Sequence, residues 1–163
     1  MVDAWADEWW AHRLDLASFV QRAFAAVVDI VVVVGLVTAY YWFFRGFDNV
    51  VLQYLDPKLR EALPPRAMLD AIVKISGLSF LVLVMYGVAL EPSPWGGTLG
   101  KRIISIRVVD EFGEPLTITA AIVRNLVKVV SLVFLGIGFL AMLWRPGKQT
   151  WHDRAARSFV ARG

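Results

Sequence analysis

Asp29 stands inside FVQRAFAAVVDIVVVVGLVTAYYWFF, an almost wholly apolar stretch from Phe19 to Phe44 that also carries Arg22 at its entrance. Insertion scales charge a central membrane aspartate about +2.5 to +3.5 kcal/mol, so this carboxylate must be neutralised, paired or used. Arg22 shares its helical face but lies about 10.5 Å away along the axis, too far for a tight salt bridge. Arg22 can snorkel to the interface as an anchor. Asp29, with its short side chain, cannot, and must face protein or water. Its nominated partners are Arg124 and Lys128, spaced i,i+4 on a later apolar segment. Two like charges on one helical face repel, and an anion between them relieves both. That anion is Asp29, a lipid phosphate or a transported ion; the structural alternative is a fixed ion pair that pins helix packing.

Other candidate chemistry is weaker. GGTLGKR, Gly96 to Arg102, is not a phosphate-binding loop, because Trp95 and Arg102 stand where that pattern needs Gly and Ser or Thr. It reads as a turn leading into a strand. His152 and Asp153 are adjacent, so on a helix they point apart and form no dyad, and His12 is the one other imidazole. With no Cys, thiol catalysis, zinc–thiolate sites and disulfides are excluded. No metal, cofactor, nucleic-acid partner or enzymatic activity is expected. In TWHD, Thr150 caps a helix and Asp153 returns the bond three residues later. The following WHDRAARSFVARG places Trp151, Ala155 and Phe159 at helical spacing with Arg154, Arg157 and Arg162. That predicts an amphipathic C-terminal helix lying on anionic lipid.

The elements that position these residues are membrane-spanning. Of the 163 residues 58% are hydrophobic and 19% charged, with seven Trp, a balance on the membrane side of the soluble average. Spans are predicted at about 23–44, ending in the Tyr40–Trp42 aromatic cluster, and at 67–90, where Asp70 and Lys74 can pair. A third stretch, 119–144, has Arg124, Asn125 and Lys128 in its first part and Gly136 and Gly138 further on. It is either one tilted helix or a broken pair that enters and returns. The returning form puts more Lys and Arg on one side and is preferred, with both termini cytoplasmic. Between spans two and three, IISIRVVD alternates Ile104, Ile106 and Val108 on one face before the turn residues EFGEP, which predicts a short hairpin. The N-terminal residues 1–18 carry four acidic side chains, unlike a signal peptide, and Trp5, Trp9, Trp10 and Phe19 suit an interfacial segment. The expected fold is an all-α membrane protein: a small transmembrane helical bundle of two clear spans and a third, broken or returning segment. A β-hairpin-like cytoplasmic loop and the amphipathic C-terminal helix complete it.

RAFAAVVD, GGTLGKRIISIRVVDEFGEPL, AAIVRN and GKQTWHDRAARSFV, in this order from Phe19 to Val160, resemble the RDD family of bacterial integral membrane proteins. The family is named for one arginine and two aspartates. The resemblance places the arginine on Arg22, the intrahelical aspartate on Asp29, and the second aspartate on Asp153, with Asp110 the weaker candidate. It implies a single domain over 19–163 in the bacterial inner membrane. It also implies transport of some ligand, with sodium–proton antiport attributed to some members. The expected charged site is Arg22, Asp29, Arg124, Lys128 and Asp153. The expected partners are the lipid bilayer, anionic lipids at the basic tail, and either a second copy or another membrane protein. A non-enzymatic scaffold and a lipid-headgroup binder are the competing readings.

Overall fold

A computed structural model describes residues 14–61, 64, 66–134, 137–144 and 147–163. The anticipated interfacial segment around Trp5, Trp9 and Trp10, together with His12 and Gly136, lies outside the described residues.

Helix α1, Phe19–Phe44, begins at a reciprocal cap. The Ser18 hydroxyl accepts from Gln21 N at 3.3 Å and Gln21 Oε1 accepts from Ser18 N at 3.0 Å, satisfying two N-terminal donors. Ala25, Asp29, Val33 and Val37 form one buried stripe along it, while Val20, Phe24, Val27, Val31 and Leu36 are exposed. Asp29 thus faces protein. Two short helices follow, α2 (Phe47–Leu55) and α3 (Pro57–Arg60). Then comes α4, Ala67–Leu90, with Leu69, Ile72, Val73, Phe80 and Leu81 exposed. Both α1 and α4 are long and apolar enough to cross a membrane, and exposed apolar side chains on such helices match a hydrocarbon surround. No Asp70–Lys74 ion pair forms among the described residues.

The short helix α5, Leu99–Ile103, leads into β1, Ile106–Asp110. Helix α6, Ile118–Val133, is capped by Thr117, whose hydroxyl accepts from Ala120 N at 3.2 Å. After a break come α7, Ile137–Leu140, and a 3₁₀ turn, Ala141–Trp144. The two parts are bent by 114°, so the third apolar segment is not one straight helix. A Cβ on Gly138 would overlap the Ser131 hydroxyl, and only glycine lets the returning piece approach α6 so closely. The tail supplies α8, Trp151–Ala155, and β2, Ser158–Arg162.

Two sequence expectations need correction. The strand of the inter-span loop forms, but its partner is not its neighbour: β1 pairs antiparallel with β2, Val108 opposite Val160 and Asp110 opposite Ser158. The EFGEP segment makes only a tight turn. Asp110 Oδ1 accepts from Phe112 N and Glu114 N at 2.8 and 2.9 Å, with Gly113 at φ 85. A single bridge, Val109 to Pro115, follows, and Pro115 has no N–H with which to extend a ladder. The C-terminal amphipathic helix is likewise replaced. Helix α8 stops at Ala155, Arg157 takes φ 46, and Phe159 enters a strand whose apolar residues pack on both faces. One face joins Ala17, Ala25, Ile106, Val108, Leu116 and Val160; the other joins Leu16, Val109, Phe159 and Ala161. The stretch before α1 lies along the free edge of β2: Ala17 N donates to Val160 O at 2.9 Å and Arg162 N to Asp15 O at 2.7 Å.

The chain divides into two compact units, one of the residues up to Asp29 with Val84–Gly163, the other Ile30–Leu83. In the second, Val33, Val37, Ile75 and Ser79 are buried. Every charged residue of the candidate site described below belongs to the first.

Candidate functional site

Asp29 is held by neutral donors. Thr98 Oγ1 donates to its Oδ2 at 2.5 Å and Gly100 N to its Oδ1 at 2.8 Å. Tyr86 OH stands at 3.4 Å from Oδ1, a long contact, and accepts a shorter bond from Leu99 N at 2.8 Å. Leu99 and Gly100 are the first residues of α5, whose N-terminal N–H groups have no partner within the helix. Thr98 occupies the cap position, yet its own hydroxyl makes no capping bond. The Asp29 carboxylate, arriving from α1, serves as the acceptor in its place. The approach requires a glycine, because a Cβ at Gly100 would overlap the Ala25 carbonyl oxygen and lie 2.9 Å from Asp29 Cγ.

The anticipated pairing of Asp29 with Arg124 and Lys128 does not form. Both cations are claimed by Glu91, the residue just past the end of α4, whose side chain is fully buried. Arg124 Nη1 and Lys128 Nζ each donate to Glu91 Oε1 at 2.8 Å, and Lys101 Nζ donates to the same oxygen at 2.6 Å. The second oxygen accepts from Asn125 Nδ2 at 3.1 Å. Asn125 also accepts from Lys128 Nζ at 3.0 Å and sits where a Cβ on Gly87 would come within 2.5 Å of its Oδ1.

Arg124 links this cluster to Asp153, donating from Nε at 3.0 Å and Nη2 at 2.6 Å to Oδ1. Arg22 Nη1 donates to Asp153 Oδ2 at 2.6 Å, so Arg22 is an interior partner here and not a snorkelling anchor. The remaining capacity of Oδ2 accepts from Thr150 N at 3.1 Å, and Thr150 Oγ1 accepts from Asp153 N at 3.3 Å. This is the reciprocal cap expected of TWHD. Asp153 therefore caps the start of α8 and binds two arginines with one carboxylate. Asp110 serves only its turn. His152 lies against the Phe139 ring at 5.1 Å, and its Nε2 is 3.6 Å from Asp153 Oδ1, beyond hydrogen-bond reach.

Electrostatics follow the geometry. Burial alone would raise Asp153 and Glu91, but their cations win. Arg124 and Arg22 hold Asp153 well below the usual carboxylate range, and Arg124, Lys101 and Lys128 do the same for Glu91. Burial pulls Lys101 down to about 7, Arg124 and Lys128 adding to the fall and Glu91 opposing it. Burial likewise lowers His152 well below its ordinary value, keeping it neutral near pH 7. Among the described residues no three His, Asp or Glu side chains converge as a metal site.

Arg22, Arg124, Lys128 and Asp153 are thus brought together, while Asp29 is held apart from them. Sequence reasoning missed Glu91, Lys101, Asn125, Tyr86 and Thr98. For Glu91 a signal existed: an acid directly after an apolar helix faces the negative end of the helix dipole, a position that calls for nearby cations.

Residues 16–157 match the RDD family. The uncharacterized protein YckC of Bacillus subtilis is 29% identical over 150 residues, covering 88% of this chain and 83% of that one. The uncharacterized protein YxaI of the same organism is 32% identical over 99 residues, 56% of this chain and 65% of that one. A proline-rich antigen homolog of Mycobacterium tuberculosis is 27% identical over 84 residues, 51% of this chain. That match takes in 34% of the mycobacterial protein, so the chain spans about a third of its length. No solved structure matches.

Proposed function

Because the chain belongs to the RDD family, we propose that it is a non-enzymatic inner-membrane protein that moves a small ion, proton- or sodium-linked, with Asp29 as the charged centre. One observation carries this reading: the buried Asp29 carboxylate is met by two hydroxyls and a backbone amide, and by no cation among the described residues. A buried carboxylate beside two neutral hydroxyls can take up a proton or, with those hydroxyl oxygens, meet a small hard cation. The long Tyr86 contact is the weakest bond of the set and the first that an entering ion would replace. Few spans per chain make a second copy, or another membrane protein, part of a working carrier. The exposed Arg154 and Arg157 of the tail suit the anionic lipid of a cytoplasmic leaflet.

The test is pH-jump and sodium-jump flux in proteoliposomes. Asp29→Asn should lower flux about tenfold or more while its elution profile in detergent matches wild type. Equal flux in the two proteins removes Asp29 from ion handling.

A second reading is favoured by the Glu91 and Asp153 network, whose carboxylates are wholly buried and paired. Such pairs fix one arrangement of helices, as a scaffold or assembly partner requires. It gains if the purified protein moves no ion and elutes with a second membrane protein.

A further inference from the structure

Three cationic donors from two elements converge on a single oxygen, Glu91 Oε1: Lys101 Nζ at 2.6 Å, Arg124 Nη1 at 2.8 Å and Lys128 Nζ at 2.8 Å. Asn125 Nδ2 meets the other oxygen. One carboxylate does not balance three cations. Across the wider cluster, and among the described residues, Arg22, Lys101, Arg124 and Lys128 face only Glu91 and Asp153. Donors are in surplus as well as charge: Arg22 Nε and Nη2 are buried without an acceptor among the described residues. Buried charges and donors without partners are costly. A further acceptor-rich anion would lower that cost.

We infer that Lys101, Arg124, Asn125 and Lys128 form an anion-binding site of the phosphate class, which the Glu91 side chain occupies as a tethered ligand. The donors address two oxygens on one centre, the geometry that a carboxylate shares with two oxygens of a phosphate or phosphodiester. The site has an inside and a rim. Arg124 is 2% exposed, whereas Lys101 and Lys128 are 14% and 24% exposed. Entry is therefore past the two lysines, with Glu91 swinging aside and Arg124 remaining fixed by its bonds to Asp153. The shared chemistry is a phosphoryl oxyanion, delivered free or as a lipid headgroup. The site does not depend on whether Asp29 carries an ion.

The test uses full-length protein in detergent, with Glu91→Ala emptying the site. Thermal unfolding is followed against sodium phosphate, short-chain phosphatidylglycerol, and sodium chloride at matched ionic strength. Glu91→Ala should melt below wild type and regain stability saturably with a phosphoryl probe, as ligand binding to the folded state requires, but not with chloride. Adding Lys128→Gln should raise the half-saturating concentration about tenfold. Regain with inorganic phosphate assigns a free-anion site; regain with the lipid alone assigns a headgroup site. If neither exceeds chloride, or if Lys128→Gln leaves half-saturation unchanged, the site is overturned. Should Glu91→Ala fail to fold, Glu91→Asp shortens the tether by one methylene and is judged by the same criteria.

Discussion

At the level of single residues, this protein buries charge by sharing it. Asp153 serves two arginines and a helix cap, and Glu91 serves three cations. Sequence made the cap legible, because TWHD carries its own spacing, and it marked Asp29, Arg124 and Lys128 as residues needing partners. It could not assign those partners. Asp29 and Glu91 are both acids at apolar helices, and only the fold decides which of them meets Arg124. Lys101 gives the network a measurable signature. Its folded pKa, lowered to about 7 by burial with Arg124 and Lys128 contributing, lies below the ordinary lysine value. Between those two values the unfolded chain binds more protons than the folded one, so stability rises with pH from about 7 upward. Glu91 and Asp153 stay ionised throughout that window and add no slope. The unfolding midpoint in detergent should climb between about pH 7 and 9 in wild type and rise less steeply in Lys101→Met. Parallel slopes would show that Lys101 is ordinarily solvated.

Between elements, close approach is set by glycines whose role no local pattern announces. The two main spans were legible from apolar length, while the third reads as a tilted helix or a broken pair, the latter preferred on its distribution of Lys and Arg. The β1–β2 pairing was not, since it joins segments far apart in the chain, and the helical spacing of Trp151, Ala155 and Phe159 is coincidental once Arg157 turns left-handed. GGTLGKR, expected as a turn leading straight into a strand, instead opens helix α5 at Leu99, and the strand begins only at Ile106. Its real task is to press α5 against α1, so that Gly100 N reaches Asp29. Gly100→Ala should therefore destabilise by about 1–3 kcal/mol, because its Cβ meets the fixed Ala25 backbone. Gly35, also on a helix, has nothing within 4 Å of its added Cβ. Gly35→Ala should be neutral or stabilising by about 0.5–1 kcal/mol. Melting the two variants side by side checks the pair, and equal effects would deny any close approach at Gly100.

For the molecule as a whole, the small sheet constrains how the chain can thread a membrane. Strand β2 pairs with β1 on one edge; on the other it donates to Asp15 O and accepts from Ala17 N. The stretch before α1, the loop between α4 and α6, and the tail after the bent segment therefore belong to one side of the bilayer. If α1 crosses outward and α4 crosses back, the stretch from Ile118 to Trp144 must begin and end on that same side. A single crossing is incompatible with such a sheet; entry and return through the 114° bend is compatible. Charge fits the same arrangement, which gathers the basic loop and tail on one face, proposed here as the cytoplasmic one, as the positive-inside rule expects. The chain has no Cys, so single cysteines report cleanly. Cysteines placed at Glu114 and at Arg154, both exposed, should react with a membrane-impermeant maleimide only when the cytoplasmic face is open. One at Lys58, exposed in the loop joining α1 to α4, should react from the opposite face. Labelling of Glu114→Cys and Arg154→Cys from opposite sides would break the sheet, and with it the returning third segment.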